Sequence, residues 1–351
     1  MKYYTTTTEY NCGIDLHARQ MYVCVMNKDG RILVHRNVRR NDFDYFLKIV
    51  NPYRHDLTVC CECTFNWYWL ADACQEAGIT FVLGHALYMK ALHGSKTKND
   101  RIDSEKIAHL LRSNLIPPGY TYPAEKRPLR MLLRRRTYFV WKRSELLAQM
   151  TVGAMTEGIE FSGVSQHRRQ AWMEALIAAH SNEFYREAVR ANMFIVQHYD
   201  KVIDKLERVI LKHTRRDHGW QYNLLKTVPG IGKVIALTIL FEVDDISRFP
   251  RVQDFSSYCR LVKGTVASAG IIKGTRGGKL GNAYLKWAFS QAAILGKRSH
   301  PKLRKYAQRL EVKHKKPVAN AILASKIGRA VYFMLRDRKP FDANMVTGDK
   351  D

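Results

Sequence analysis

Four carboxylates in the first third of the chain have the residue types and spacing to hold a divalent cation. Asp15 ends the apolar segment Cys12-Gly-Ile-Asp15. Glu62 interrupts the apolar run Val59-Cys-Cys-Glu-Cys63, where a buried charge is costly unless it is paired or bound to a cation. Asp100 and Asp103, in Lys98-Asn-Asp-Arg-Ile-Asp103, are three residues apart and share one face of a helix that begins there. Four acids brought together repel one another. A hard cation with oxygen ligands, typically Mg²⁺ with Mn²⁺ as the alternative, relieves that repulsion. Two such ions about 4 Å apart can activate a nucleophile and stabilise a leaving oxygen in phosphoryl transfer. An acid at a helix start is more often a cap or dipole partner, which would account for Asp100 by itself. Glu62 has no such ordinary explanation. His17 follows Asp15 by two and shares its strand face, where it reads as a neighbour of the site or a core histidine.

The surrounding pattern predicts the elements that would bring these acids together. Cys12 to Leu16 and Met21 to Met26 read as strands, and Asn27-Lys-Asp-Gly30 is a hairpin turn leading into a third strand from Arg31. Asn41 to Val50 carries Phe43, Phe46, Leu47 and Val50 at helical spacing. Asp56 to Cys63 is a buried strand, Trp67 to Ala77 a helix ending at Gly78, Ile79 to Leu83 a strand, and Asp100 to Asn114 a helix. Three antiparallel strands followed by helix, strand, helix, strand and helix fit an RNase H-like α/β domain, in which the strands of Asp15 and Glu62 can lie side by side. The aromatics Phe65, Trp67, Tyr68 and Trp69 suit base stacking and helix packing equally.

Prolines 117, 118, 123 and 128 punctuate the next stretch, so the first domain is expected to span 1–120. Residues 121–219 read as long helices, with Arg130 to Met150 and Asn182 to Arg215 as the arms of a helical hairpin or coiled coil. The first arm carries Lys126, Arg127, Arg130, Arg134, Arg135, Arg136, Lys142 and Arg143, with no acid until Glu145. With no balancing acids at i±4, a nucleic-acid contact is expected rather than a solvated face. Residues 220–351 form a mainly helical third part. In it, Pro229-Gly-Ile-Gly232 is either a plain turn or a phosphate cradle, and the Gly-, Lys- and Arg-rich 263–282 is expected to be a flexible basic loop.

The chain has 351 residues, 58 Lys and Arg against 32 Asp and Glu, and a formal net charge of +26. So basic a protein repels itself unless a polyanion neutralises it, which points to nucleic acid. An anionic membrane surface fits less well, because there is neither a run of about 18 apolar residues nor an apolar leader; a cytoplasmic location is expected. Seven cysteines without paired CxxC motifs read as reduced core thiols.

Three segments resemble the DEDD motifs of the insertion-sequence-110 family of transposases: Gly13-Ile-Asp-Leu-His17, Glu62-Cys-Thr64, and Lys98 to Ala108. These proteins are RuvC-like at the N-terminus and related to the Piv and MooV invertases. Val228-Pro-Gly-Ile-Gly232, Arg276-Gly-Gly-Lys-Leu-Gly-Asn282 with Leu285, and Lys326-Ile-Gly-Arg-Ala-Val-Tyr332 to Pro340-Phe-Asp342 are similar to that family's second conserved domain. The departure is Glu62-Cys-Thr-Phe65, where the family usually has Ala and Gly at the second and fourth positions. The resemblance implies a RuvC-like catalytic domain, a coiled-coil middle and a C-terminal transposase domain. It also implies a recombinase guided by a bridge RNA that pairs with donor and target DNA. Asp15, Glu62, Asp100 and Asp103 would hold Mg²⁺, and a C-terminal serine would form a covalent phosphoserine link to DNA. The composite site would join domains of different protomers in a homo-oligomer, from dimer to tetramer. The matching segment, Lys263-Gly-Thr-Val-Ala-Ser-Ala-Gly270, makes Ser268 the expected nucleophile, with Thr265 and Thr275 in reserve. Lys263, Lys273, Arg276 and Lys279 are expected to contact phosphate. Without the resemblance, Ser268 reads as a small turn residue. Two other functions compete: a Holliday-junction nuclease in which water attacks, and a non-catalytic nucleic-acid-binding protein.

Overall fold

The computed structural model describes residues 3–92, 99–159, 169–269, 271–276 and 280–348. These form two compact units, Met1–Ala124 and Glu125–Asp351.

The first unit is a five-stranded sheet with helices on both faces. Its strands are β1 (Tyr10–Leu16), β2 (Gln20–Met26), β3 (Ile32–Arg39), β4 (Leu57–Glu62) and β5 (Thr80–Gly84), in the spatial order β3-β2-β1-β4-β5. β1, β2 and β3 are antiparallel, and β4 and β5 run parallel to β1. The helices are α1 (Phe43–Val50), α2 (Tyr68–Glu76), α3 (Ala86–Leu92) and α4 (Asp100–Arg112). Strand alternation sorts the residues by face. Cys12, Ile14, Leu16, Val59 and Cys61 share a core with Phe46 of α1 and Leu70 and Cys74 of α2. On the other face, Cys60 and Val82 pack with Ile107 and Leu111 of α4, and Cys24 packs with Ala108. Trp67 belongs to the first core, whereas Phe65 is 80% exposed.

The second unit begins with α5 (Arg127–Thr156), α6 (Arg169–Ala179) and α7 (Glu183–Lys226). α5 and α7 lie antiparallel: Arg136 pairs with Glu207, and about two turns further along Arg143 pairs with Asp200. Met150, Ala154, Met173, Leu176, Val189 and Val196 form a small core between these three helices. The arms are longer than the charge pattern suggested. α7 runs on through the expected boundary at 219/220, with a single non-helical residue, His218.

α8 (Lys233–Val243), α9 (Val252–Tyr258), α10 (Ala283–Ser299), α11 (Pro301–Lys313), α12 (Lys316–Asp337) and α13 (Asn344–Thr347) build the remainder around one large core. The Pro229–Gly232 turn serves packing: Gly230 has φ +89, and a Cβ there would lie 2.3 Å from the Ala292 carbonyl oxygen of α10. α12 is long and apolar enough to cross a membrane by length and composition, although no continuous apolar run marks it. It supplies Leu323, Ile327, Val331 and Tyr332 to the core.

Among the described cysteines every thiol is free, and only Cys63 is exposed. Burial pushes the Cys12, Cys60, Cys61 and Cys259 thiols well up, which favours their protonated form.

Candidate metal centre and serine hairpin

β1 and α4 meet at a glycine. On β1, Gly13 and Asp15 face α4 while Ile14 faces the opposite core. A Cβ on Gly13 would lie 2.3 Å from both the Ala108 amide nitrogen and the Ser104 carbonyl oxygen, so only glycine lets the helix backbone lie on the strand here. This close approach sets the first turn of α4 beside Asp15. Asn99, not Asp100, caps that helix: its side chain accepts from the Arg101 N–H at 2.9 Å. Asp100 is thereby released from the capping role that would have explained it.

Asp15 Oδ2 lies 3.1 Å from His17 Nε2, and Asp100 Oδ1 lies 3.3 Å from the same nitrogen. One ligand atom from each of these three residues falls within 4.8 Å of the others, close enough to surround a metal ion. Gln20 Nε2 donates to the other Asp100 oxygen at 3.3 Å, and Asn37 donates to Gln20 at 3.2 Å. The His17 carbonyl oxygen accepts from Asn41 and Asn66 at 3.1 and 2.9 Å, which fixes the turn from which the ring projects.

Asp103 is close enough for its charge to act on Asp15, and it accepts a hydrogen bond from Lys106 Nζ at 3.3 Å. Glu62 comes from the next strand. β1 and β4 are in parallel register with Ile14 opposite Cys61, and Asp15 and Glu62 are the next residue on each. Cys60, two residues before Glu62, packs against α4, so Glu62 faces the same side. Glu105 turns to His109 at 3.9 Å instead.

The electrostatics favour a bound cation. Burial pushes the Asp15 carboxyl above its usual range; His17 pulls it down, and the charges of Asp100 and Asp103 push it up again. A carboxylate destabilised by burial and by like charges is relieved when a cation arrives. Oxygen donors from two to four acids suit a hard divalent ion, and the imidazole nitrogen also suits Mn²⁺ or softer metals. His17, set aside on sequence, is thus the residue that spans the two acids. The signal available was its i+2 spacing from Asp15, which places it on the same face.

Within the basic stretch at 263–282, expected to be a loop, the structure has two strands. β6 (Gly264–Ser268) and β7 (Ile271–Arg276) form an antiparallel hairpin with Ser268 opposite Ile271 and a register shift between Val266 and Ala267. Glycine and lysine content masked the β-branched residues Thr265, Val266, Ile271, Ile272 and Thr275, which favour strands. Ser268 is exposed at the tip, next to Ala269 with φ 52, and Lys263 and Lys273 are exposed. Thr265, Thr275 and Arg276 are described by backbone alone, and Lys279 lies outside the described residues. The hairpin's root is pinned. Arg260 Nε donates to the Gly281 carbonyl at 2.9 Å, and the Asn282 N–H donates to the Tyr258 carbonyl at 2.6 Å. Asn282 also caps α10 and donates to Glu242 at 2.7 Å.

That glutamate changes the picture of the basic arm. Glu242, with its side chain 1% exposed, receives Arg130 at 2.9 Å and Arg134 at 2.6 Å. Arg136 pairs with Glu207 at 2.6 Å, and Lys233 also reaches Glu207. The acids missing at i±4 come from α7 and α8, which a one-helix pattern cannot see. Of the four arginines expected to contact nucleic acid, Arg135 is exposed, with its guanidinium 5.6 Å from the Tyr138 ring centroid.

The comparisons with known proteins agree with the two regions just described. Residues 12–153 match a family of DEDD transposases of the IS110 type. Residues 222–308 match the family described as Transposase IS116/IS110/IS902. The chain is 24% identical over 340 residues to the transposase for insertion sequence element IS1328 of Yersinia enterocolitica, covering 91% of this chain and 95% of that protein. It is 29% identical over 153 residues to the pilin gene-inverting protein of Moraxella lacunata, covering 42% of this chain and 47% of that one. With the carboxylate region and the C-terminal region both matched, and in that order, the chain belongs to the IS110 family of transposases and is a DNA recombinase.

Proposed function

We propose that this transposase is an RNA-guided recombinase with an RNase H-like (RuvC-like) domain over 1–120, a helical coiled-coil region over 121–219 and a C-terminal transposase domain over 220–351. The strand order β3-β2-β1-β4-β5, with an antiparallel meander and two parallel strands, supports the RNase H-like assignment. The observation that carries the catalytic reading is the convergence of Asp15, His17 and Asp100 within 4.8 Å. Asp15, Glu62, Asp100 and Asp103 hold divalent metal, Mg²⁺ or Mn²⁺. When bound, the metal neutralises charge on phosphate and on the oxygens entering and leaving phosphorus.

Ser268 is the nucleophile. Its hydroxyl oxygen bonds to a DNA phosphorus, the bond from that phosphorus to one strand oxygen breaks, and the hydroxyl proton ends on the leaving oxygen. A strand hydroxyl then attacks the serine phosphodiester, restoring Ser268 and joining the new strand, so no external energy source is needed. Lys263, Lys273, Arg276 and Lys279 bind the phosphates, and a bridge RNA selects donor and target DNA. The protein acts as a homo-oligomer.

Trapping on suicide DNA substrates tests the serine. Wild-type protein is expected to give a covalent adduct that Ser268→Ala abolishes and Asp15→Ala prevents from forming. An adduct that persists in Ser268→Ala moves the nucleophile elsewhere. Cleavage without any adduct favours a Holliday-junction nuclease that uses water. Sequencing of RNA that co-purifies with the protein tests the guide; nucleic-acid-free protein active on DNA alone would remove it.

A further inference from the structure

We infer that a cavity at the kink of α7 receives one unstacked, amino-bearing nucleobase of a single-stranded nucleic acid. The cavity measures about 250 Å³. That is below the roughly 300–1,000 Å³ of sites for drug-sized ligands, and it suits a fragment on the scale of one base.

Three backbone irregularities meet at its wall. α7 leaves helical geometry at His218, with φ −139 and ψ 25. α8 ends on Asp244, with φ 65 and ψ −91, and α12 ends on Arg338, with φ 56. Asp244 is neither glycine nor in a common region, and such strain concentrates at ligand clamps. At the kink, the His218 ring packs edge-on against Phe241, 5.8 Å between centroids, and both rings line the cavity. Trp220, two residues on, lines the cavity and stays 47% exposed.

The lining chemistry matches a nucleotide. The Trp220 ring offers a stacking face, and the Arg338 guanidinium lies 5.6 Å from its centroid. Asp244 and Asp245 sit at the C-terminal end of α8, where the helix adds partial negative charge. The Asp244 side chain is 4% exposed and paired with Lys126. Asp245 is exposed and accepts from the Ser247 N–H at 2.8 Å. It is the carboxylate placed to accept also from an exocyclic amino group, as carboxylates do from cytosine N4. Lys126 is spent on Asp244, 2.7 Å away, so the exposed Arg338 supplies the positive charge for the flanking phosphate. A paired base in a duplex cannot enter so small a recess.

The inference rests on the chain being a nucleic-acid-acting transposase, and is independent of Ser268. It is tested with full-length protein by fluorescence anisotropy, using short single-stranded oligonucleotides of C and of T or U, as DNA and as RNA, beside a duplex. Trp220→Ala is expected to weaken single-strand binding about tenfold and to leave duplex binding and the melting temperature unchanged. Trp220→Phe retains most of the affinity. Asp245→Asn removes a preference for C over T or U. The DNA and RNA arms identify which strand occupies the site. In wild-type protein, oligonucleotides carrying 5-iodocytosine are expected to crosslink under ultraviolet light to the peptide containing Trp220. Absence of that crosslink, or equal loss of single-strand and duplex binding in both Trp220 variants, overturns the inference.

Discussion

At the scale of residues, His17 and Glu242 show how one side chain acquires a role from partners distant in sequence. His17 Nε2 lies within 3.3 Å of two carboxylates whose residues are 85 positions apart, Asp15 and Asp100. If it helps to hold the metal, His17→Ala will weaken Mn²⁺ binding about 10–100-fold, as loss of supporting groups at metal sites does. Calorimetric titration of the full chain measures this, and unchanged affinity would return His17 to a bystander's role. Glu242 is the buried anion beneath Arg130, Arg134 and Asn282. Burial pushes its carboxyl up, but Arg134, Arg130 and Asn282 outweigh this and hold it below the usual carboxylate range. Because the folded-state value is depressed, its contribution to stability is present above the unfolded-state value. That contribution is lost as pH falls through the folded one. Glu242→Gln leaves two guanidiniums uncompensated and is expected to cost about 3–5 kcal/mol in urea unfolding at neutral pH. The gap to wild type should shrink below about pH 4, on the acid side of an ordinary carboxylate.

At the scale of elements, two glycines make opposite predictions. Gly13 lies where a Cβ would meet the α4 backbone at 2.3 Å. Backbone atoms on an internally bonded helix do not yield as a side-chain end does. Gly13→Ala is therefore expected to push α4 off β1, cost about 1–3 kcal/mol and weaken Mn²⁺ binding, although it touches no ligand. Retained stability and metal affinity would show that α4 does not seat the acids. Gly153, within α5, has nothing within 4 Å of its missing Cβ. Gly153→Ala should stabilise the protein by about 0.5–1 kcal/mol, read as a higher melting temperature. The hairpin carries a related lesson. Its strands were hidden by composition, and its position is set by Asn282, which caps α10, joins Tyr258 and reaches Glu242 at once.

At the scale of the whole molecule, the charge of +26 sets how binding responds to salt. Each phosphate contact by a surface cation adds about one unit to the slope of log affinity against log salt. Lys263 and Lys273 are exposed on the hairpin. Replacing both with Ala should lower that slope by about two and weaken duplex binding whatever its sequence. Arg134, spent on Glu242, is expected to act differently: Arg134→Ala lowers stability and leaves the slope of the remaining folded protein unchanged. A slope reduced by Arg134→Ala, or unmoved by the lysine pair, would reverse these assignments.

Much of the first unit was legible in the chain alone, because strand and helix periods are local. The short apolar runs through Cys12–Leu16 and Leu57–Glu62, the Asp-Gly turn before Arg31 and the helical run from Asp100 specify their elements without help from distant residues. An acid inside an apolar strand announces a site by its cost. What folding alone decided was which charges meet. Asn99 took the cap and freed Asp100, His17 came between two carboxylates, and Glu242 and Glu207 neutralised three arginines that look unpaired along α5. Electrostatic partnership depends on separation in space, and helices that cross bring together charges a hundred residues apart, which no periodicity within one helix records.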